Sequence, residues 1–226
     1  MGPLDSVVVS GQIGTEVGFV RYLANGARDT SFSGDGVATI PLTDARLYEF
    51  VVQPDGKIVA AIDVPGGEFR MVRLLADGTF DASFGTGGQT VLTRPPGTTG
   101  YFGVNQGDHL SISPDGSIVY MGTSSPSSVS TDYLAKLSST GVLDTSFGTA
   151  GFWIAGSKIF DYEFYADNKI LVAQATGTYC WARCCTCRTR TARRSATCTT
   201  RNQTLCRRPT VSASPRLRRS TRTANR

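Results

Sequence analysis

The sequence predicts an all-β protein made of repeated, antiparallel, four-stranded units and followed by a disordered C-terminal tail. Three observations predict this class. One phrase recurs three times before residue 178, turn-forming residues separate β-branched runs, and the composition changes abruptly after residue 177. Repetition at intervals of some tens of residues indicates stacked supersecondary units that share a continuous core.

The first recurring phrase starts with a basic residue, has a glycine five positions later and ends in Asp-x-Ser-Phe. Its copies span residues 21–32, 73–84 and 136–147. We expect each aspartate to accept hydrogen bonds from backbone amides in an Asx-type turn. An aromatic residue that recurs once per unit is more typical of a core between units than of a ligand platform. The phrase therefore supplies six structural positions, namely Asp29, Phe32, Asp81, Phe84, Asp144 and Phe147.

The second phrase places Pro-Asp-Gly between two β-branched runs, at residues 51–59 and 111–119. Proline fixes φ, the aspartate bonds the turn backbone and glycine tolerates a positive φ, so the phrase predicts a β-hairpin. The turn residues are Asp55, Gly56, Asp115 and Gly116. A calcium site is a weaker interpretation, because one carboxylate per hairpin lacks the converging oxygens that calcium requires.

Alternation of apolar and polar residues predicts the strands on either side of each hairpin. Leu110 and Ile112 alternate with His109 and Ser111, which is the pattern of a half-buried strand. One full unit has predicted strands near residues 49–52, 57–62, 69–74 and 89–92. Four strands in a unit of roughly 50–60 residues is typical of a β-propeller blade.

Counted over the chain, this pattern gives about thirteen strands, or about three units and a remainder. The run that begins at Val7 matches the second strand of a blade, so the first unit starts within a blade. A closed propeller typically has about 4–8 blades. We therefore expect a partial propeller that is a fragment of a longer protein, or copies that assemble to close a ring.

Three phrases of the second unit carry a family resemblance. They are Gln53-Pro-Asp-Gly-Lys-Ile-Val59, Arg73-Leu-Leu-Ala-Asp-Gly78 and Asp81-Ala-Ser-Phe-Gly-Thr-Gly-Gly88. Together they resemble the delta-60 repeat, a bacterial β-propeller repeat of undetermined function, and the resemblance extends over about residues 7–176. It implies a propeller, often in surface or secreted bacterial proteins, and implies no catalytic residues.

The outermost copies depart from the pattern of this family. The first copy has Ser33-Gly34-Asp35-Gly36 after its phenylalanine, and the last hairpin has Ala166-Asp167-Asn168 in place of Pro-Asp-Gly. These departures predict altered turn geometry in the two outer copies.

Charge divides the chain into a body, residues 1–177, and a tail, residues 178–226. The body has 10 basic residues and all 18 acidic ones, a net charge of −8, whereas the tail has 13 arginines and no acid. All glycines and phenylalanines precede the tail. The six cysteines all lie within it: Cys180, Cys184, Cys185, Cys187, Cys198 and Cys206.

Three interpretations of the tail remain open. Cys184 and Cys187 form one C-x2-C pair, a weak metal signal with no histidine in the tail to complete a mixed site. The arginines could neutralise phosphates of a nucleic acid, without a base-reading fold. A frameshift near Thr178 explains more of the tail's composition, because acidic residues, glycine and phenylalanine are absent from the point where the fourth repeat should continue. With so little apolar content, the tail is predicted to be disordered.

An enzyme has little support in the sequence, which indicates no catalytic residue, cofactor or metal ligand. His109 is the only histidine, and Gly85-Thr-Gly-Gly88 precedes no helical pattern of a phosphate-binding loop. The favoured function is a non-catalytic scaffold or binding module in a larger bacterial surface or secreted protein. The alternative is a propeller-type hydrolase or lactonase with a channel metal, which requires non-repeated acids to converge, the candidates being Glu16, Glu49, Glu68 and Glu163.

Partners and location follow only in part from the sequence. The negative body disfavours nucleic acid, and no apolar run approaches the ~18 residues of a membrane span. An unknown protein or carbohydrate ligand, and self-association through open blade edges, are the expected partners. No signal peptide is recognised at the N-terminus, so the location of this chain is unassigned, with an extracellular or cell-surface location expected for its full-length parent.

Overall fold

The computed structural model describes residues 6–65, 68–98, 101–103, 110–125, 131–165, 167–175 and 179–181. Within these ranges the chain forms fifteen strands joined by turns. None of the described residues belongs to a helix that is long and apolar enough to cross a membrane. The predicted all-β class is confirmed.

The strands follow the order of the repeats along the chain. Their bounds are β1 (Ser6–Ile13), β2 (Glu16–Leu23), β3 (Val37–Ile40), β4 (Arg46–Val52), β5 (Ile58–Val64), β6 (Glu68–Leu74), β7 (Gln89–Leu92), β8 (Tyr101–Gly103), β9 (Leu110–Ile112), β10 (Ile118–Ser125), β11 (Thr131–Leu137), β12 (Phe152–Ile154), β13 (Ile159–Phe164), β14 (Ile170–Gln174) and β15 (Tyr179–Trp181).

These strands pair into four antiparallel sheets, each of which is one blade. The first blade is β1-β2-β3, the second β4-β5-β6-β7 and the fourth β13-β14-β15. In the third blade, β10, β11 and β12 are adjacent, and the first-strand position is divided between β8 and β9, which pair with opposite ends of β10. All four strands predicted for the second blade are present, with bounds that differ by three residues or fewer.

Register shows which strands are equivalent in different blades. Val8 of β1 lies opposite Arg21, as Val59 of β5 lies opposite Arg73. Since Arg21 and Arg73 begin copies of the same phrase, β1 occupies the second-strand position of the first blade. β15 lies in the range that the sequence analysis assigned to the tail, and it pairs with β14 as a third strand. The rest of the tail, with its other cysteines and its arginines, lies outside the described residues.

Three hydrophobic clusters form the core, one between each pair of successive blades. β5 contributes to two of them, because Ile58 and Ala60 pack towards the first blade while Val59 and Ala61 pack towards the third. The expectation of half-buried strands is therefore wrong for β5. A blade inside a stack has a neighbour on each face, so both faces of its second strand are apolar.

Each cluster contains one phenylalanine of the Asp-x-Ser-Phe phrase. Phe32 lies between the first and second blades, Phe84 between the second and third, and Phe147 between the third and fourth. Phe32 and Phe84 are fully buried, and Phe147 is 5% exposed. The second and third blades also meet through the rings of Phe69 and Tyr120, which stack with their centroids 4.7 Å apart.

Replacing Phe84 by alanine should destabilise the protein by about 3–5 kcal/mol, because the side chain fills the interface between two blades. The control is Val142→Ala, at a side chain that is 61% exposed. Urea unfolding followed by far-UV circular dichroism measures both variants. Equal effects of the two substitutions would contradict this placement of Phe84.

Candidate functional site

The Pro-Asp-Gly hairpins form as the sequence predicts. In the second blade, Gln53 N donates to Lys57 O at 2.7 Å and Gly56 N donates to Gln53 O at 2.8 Å. Asp55 Oδ1 accepts the amide hydrogen of Lys57 at 3.2 Å. Gly56 has a φ of +82°, a conformation that glycine adopts without strain.

The hairpin of the third blade has the same geometry, and its aspartate accepts an additional hydrogen bond from a serine hydroxyl. Asp115 Oδ1 accepts hydrogen bonds from the Ser113 hydroxyl and, at 2.9 Å, from Ser117 N. Chiefly because of the Ser113 hydroxyl, the pKa of the Asp115 carboxyl falls to about 2. Gly116 has a φ of +80° and donates to Ser113 O. Both hairpin aspartates thus bond the backbone of their own turns.

Of the two outer copies with altered turn residues, the last hairpin keeps the turn geometry and the first copy does not. In the fourth blade Asn168 takes the left-handed position with a φ of +59°, and its amide donates to Tyr165 O at 2.9 Å. In the first blade Ser33 has a φ of +55°, the same value as Gly85 in the second copy. At the next two positions the copies differ, because φ is positive at Gly34 and not at Asp35, whereas in the second copy it is positive at Gly87 and not at Thr86. The prediction of altered turn geometry is therefore confirmed for the first copy and wrong for the last hairpin, where Asn168 takes the position of the glycine.

Each Asp-x-Ser-Phe aspartate closes an Asx turn with one carboxylate oxygen. Asp81 Oδ1 accepts the amide of Ser83 at 3.1 Å and its hydroxyl at 2.5 Å. Asp29 and Asp144 make the same two bonds. The hydroxyl bond is the largest cause that lowers the pKa of the Asp29 and Asp144 carboxyls. For Asp81 burial is the largest single cause and raises the pKa, but the two bonds from Ser83 and the charges of Arg73 and Lys57 together lower it.

The second carboxylate oxygen binds the basic residue that begins the phrase. Arg21 Nε lies 2.7 Å from Asp29 Oδ2, Arg73 Nε lies 2.8 Å from Asp81 Oδ2, and Lys136 Nζ lies 3.3 Å from Asp144 Oδ2. Both guanidinium groups also lie over the phrase's phenyl ring, with Cζ 4.6 Å from the centroid. We call the cation, aspartate and phenylalanine of one copy a latch.

Each arginine of a latch also reaches the following blade. Arg73 Nη1 donates to Ser139 O at 2.5 Å, in the turn between β11 and the third copy of Asp-x-Ser-Phe. Arg21 Nη1 donates in the same way to Ala76 O of the second blade. The backbone adds a parallel contact, since Gly85 N donates to Thr140 O at 2.8 Å.

The glycine of the next turn lies against the ring of the latch. A Cβ atom on Gly141 would come within 2.7 Å of the Phe84 ring, and one on Gly78 within 3.1 Å of the Phe32 ring. Both glycines also have a positive φ. The latch therefore requires a glycine in the turn that it holds.

The third latch differs from the first two. Lys136 contacts Asp144, and no bond to a carbonyl of another blade is made by it among the described residues. The Asp144 side chain is 28% exposed, against 6% for Asp81. In the fourth blade, Leu171 holds the place of Val59, because each lies four residues after the aspartate of its hairpin. Trp181 lies opposite Leu171, at the position where the other blades have the cation of a latch. The frameshift near Thr178 stays a prediction.

The pairing within the latch was not foreseen from the sequence, although the signal is there. In every copy the cation precedes the aspartate by eight residues. The carbonyls of Ala76 and Ser139 carried no signal, because any residue type supplies a backbone acceptor.

The four acids considered for a channel metal do not form one group. Glu16 and Glu68 lie five residues before Arg21 and Arg73, so they occupy one repeated position and their interpretation as non-repeated is wrong. Glu49 Oε2 accepts a hydrogen bond from Leu110 N at 3.0 Å, which joins the first strands of two blades. Glu163 lies on β13, opposite Leu171.

Within the described residues, no three His, Cys, Asp or Glu side chains lie close enough to hold a metal ion. His109 lies outside these residues. A buried carboxylate that the sequence analysis missed, Asp132, accepts hydrogen bonds from Thr123 Oγ1 at 2.8 Å and Ile159 N at 2.7 Å. It joins the third blade to the start of the fourth, as Glu49 joins the second to the third.

Replacing Arg73 by methionine should destabilise the protein by about 3–5 kcal/mol, because it leaves the buried Asp81 carboxylate without the guanidinium that binds it at 2.8 Å, and with only the Lys57 ammonium 3.9 Å away. Arg70→Met is the matched control on the same strand. Its partner Glu68 is 52% exposed, and a surface pair of this kind contributes about 1 kcal/mol or less. Urea unfolding compares the two, and a cost for Arg73→Met no greater than for Arg70→Met would exclude a structural role for the latch.

Acid should unfold the protein by protonating the aspartates of the turns. A carboxyl with a lowered pKa in the folded state contributes stability above its unfolded pKa of about 4, and that stability is lost as the pH falls through the folded value. For Asp115 this window extends from about 4 down to about 2. Carboxyl NMR titration should show Asp115 titrating near 2 and, in Ser113→Ala, nearer its ordinary value. An unchanged titration in that variant would refute the assignment to Ser113.

Comparison with known proteins agrees with this geometry. Residues 53–84 and 113–147 match the model of the family described as "Domain of unknown function (DUF5122) beta-propeller". Each match begins at a hairpin and ends at the phenylalanine of a latch. No curated protein matches the chain. The matched segments of the second and third blades are therefore similar to a β-propeller family whose function is undetermined.

Proposed function

We propose that the chain is a non-catalytic β-propeller scaffold or binding module, part of a larger bacterial surface or secreted protein. The observation that supports this function is the use of the repeated polar residues. The aspartates of the hairpins bond their own turns, and the aspartates of the latches bind a cation that, in two blades, also holds the next blade. The repeated polar residues therefore stabilise the turns and the contacts between successive blades.

Binding is then assigned to residues that differ from blade to blade. Connecting segments and first strands vary among the copies more than the Asp-x-Ser-Phe phrase does, and a rigid scaffold with variable loops is a common arrangement for ligand binding. A protein or carbohydrate ligand is proposed for these surfaces. Nucleic acid is disfavoured for residues 1–177, because their net charge is −8.

The alternative function, a hydrolase or lactonase with a channel metal, makes a different prediction. The proposed function predicts that the full chain has the same thermal unfolding midpoint in calcium as in EDTA. Calcium is used at about 5 mM, a concentration that saturates weak extracellular sites. It also predicts no hydrolysis of ester or lactone substrates above background. Differential scanning fluorimetry and a pH-indicator assay measure these two quantities.

A pair of variants makes this test specific. Glu49→Gln alters the acid where the first strands of two blades meet, whereas Glu68→Gln alters an exposed acid paired with Arg70. Metal-dependent hydrolysis that is abolished by EDTA and by Glu49→Gln, but kept in Glu68→Gln, would replace the proposed function with the enzymatic one.

A further inference from the structure

One face of the first blade is apolar, and no described residue covers it. Val8 of β1 packs into the core between the first and second blades, so the alternating residues Val7, Val9 and Ile13 face the opposite side. They are 61%, 47% and 38% exposed. Ile13 folds over Gly18 of the neighbouring strand on this side. We call this side of β1 and β2 the leading face.

The same face is covered in the second, third and fourth blades. In the second blade, Ile58 and Ala60 hold the positions of Val7 and Val9 and are buried against the first blade. In the third blade Ile118 is buried against the second, and in the fourth Ile170 is buried against the third. The leading face is thus equivalent to the surfaces that the second, third and fourth blades bury against the blade before them.

A turn beside the leading face is a second, independent feature that no described residue covers. Leu23 N donates to Ala27 O and Gly26 N donates to Leu23 O, both at 2.9 Å, which is the geometry of the turns that contain Gly78 and Gly141. Gly26 also has a φ of +80°. A Cβ atom on Gly26 would nevertheless meet no atom within 4 Å, whereas one on Gly78 or Gly141 would meet a phenyl ring.

The carbonyl groups of this turn are open as well. Its Ala24 holds the position of Ala76 and Ser139, which accept a hydrogen bond from the arginine of the preceding latch. In the described part of the chain, nothing donates to Ala24 O or Asn25 O. The turn has the shape that a latch holds, and none of the described residues forms a latch on it.

We propose that the leading face and the turn 24–26 form a docking surface for another blade of the same repeat type. That blade carries Arg eight residues before the aspartate of Asp-x-Ser-Phe. Its cation donates to Ala24 O, the amide after its phenylalanine donates to Asn25 O, and its phenyl ring packs on Gly26. Its second strand covers Val7 and Val9.

A second copy of this chain is a poorer occupant than a further blade. Its two arginine latches already hold the turns of its own second and third blades. The fourth blade packs on its third blade, beside the latch of Lys136. The leading face therefore fits a latch that the described residues do not contain.

The proposal is tested by supplying that blade within one polypeptide. A copy of residues 45–116 is joined directly before Ser6. This copy provides one whole blade and the hairpin that precedes β10, and β1 then follows the hairpin because β1 is the equivalent of β10. The extended protein should unfold at a temperature several degrees higher than the original chain. It should also bind less anilinonaphthalene sulfonate, a dye that reports exposed apolar surface.

Two glycines serve as a matched pair of substitutions. Gly26 and Gly97 have φ values of +80° and +78°, and a Cβ atom on either would meet no atom within 4 Å. In the original chain, Gly26→Leu and Gly97→Leu should lower the unfolding temperature equally. In the extended protein, Gly26→Leu should remove the gain in stability, and Gly97→Leu in the original second blade, not in the added copy, should keep it.

Two outcomes would overturn the proposal. One is an extended protein in which the two leucine variants remain equivalent, because the added blade would then not be held at the turn 24–26. The other is a dimer of the unmodified chain, observed by sedimentation velocity, that Val9→Lys dissociates. A second copy would then cover the leading face. Neither outcome bears on the calcium and hydrolysis measurements, so the docking surface and the proposed function fail separately.

Discussion

The arrangement of the blades depends on a buried charge pair whose cation also bonds the next blade. Arg73 and Asp81 are 5% and 4% exposed, so neither charge is stable without the other. The planar guanidinium has enough donors to bind the carboxylate and a carbonyl of the third blade together. Phe84 lies beneath it and packs on Gly141 of the same turn. One cluster thus fixes the fold of a blade and the position of its neighbour.

The third latch shows what the guanidinium contributes. Lys136 has a compact ammonium group and binds Asp144 at 3.3 Å, without the fork geometry that lets arginine bind two acceptors in one plane. The carboxylate it binds is also more exposed than Asp81. Cohesion between the third and fourth blades comes instead from the apolar cluster around Phe147 and from Asp132, which accepts Ile159 N.

A structural role for the repeated polar residues directs the search for function to the residues that are not repeated. First strands of successive blades lie side by side, as the bond from Leu110 N to Glu49 shows. Tyr162 on β13 is a second non-repeated residue there. Burial raises the pKa of its phenol, which donates to Val119 O of the third blade. The contacts that first strands make with the neighbouring blade thus vary from blade to blade, in contrast to the two arginine latches.

By itself, the sequence determined the features that depend on local chemistry. The hairpins at Asp55 and Asp115, the strands of the second blade and the Asx turn at Asp81 follow from residues close together in the chain. Only the tertiary structure decided which partners these elements have. Arg21 and Arg73 bond carbonyls 55 and 66 residues away, and β5 is apolar on both faces because it has a blade on each side. A backbone carbonyl has no residue type that marks it as an acceptor, so these partners become visible only when the blades are stacked.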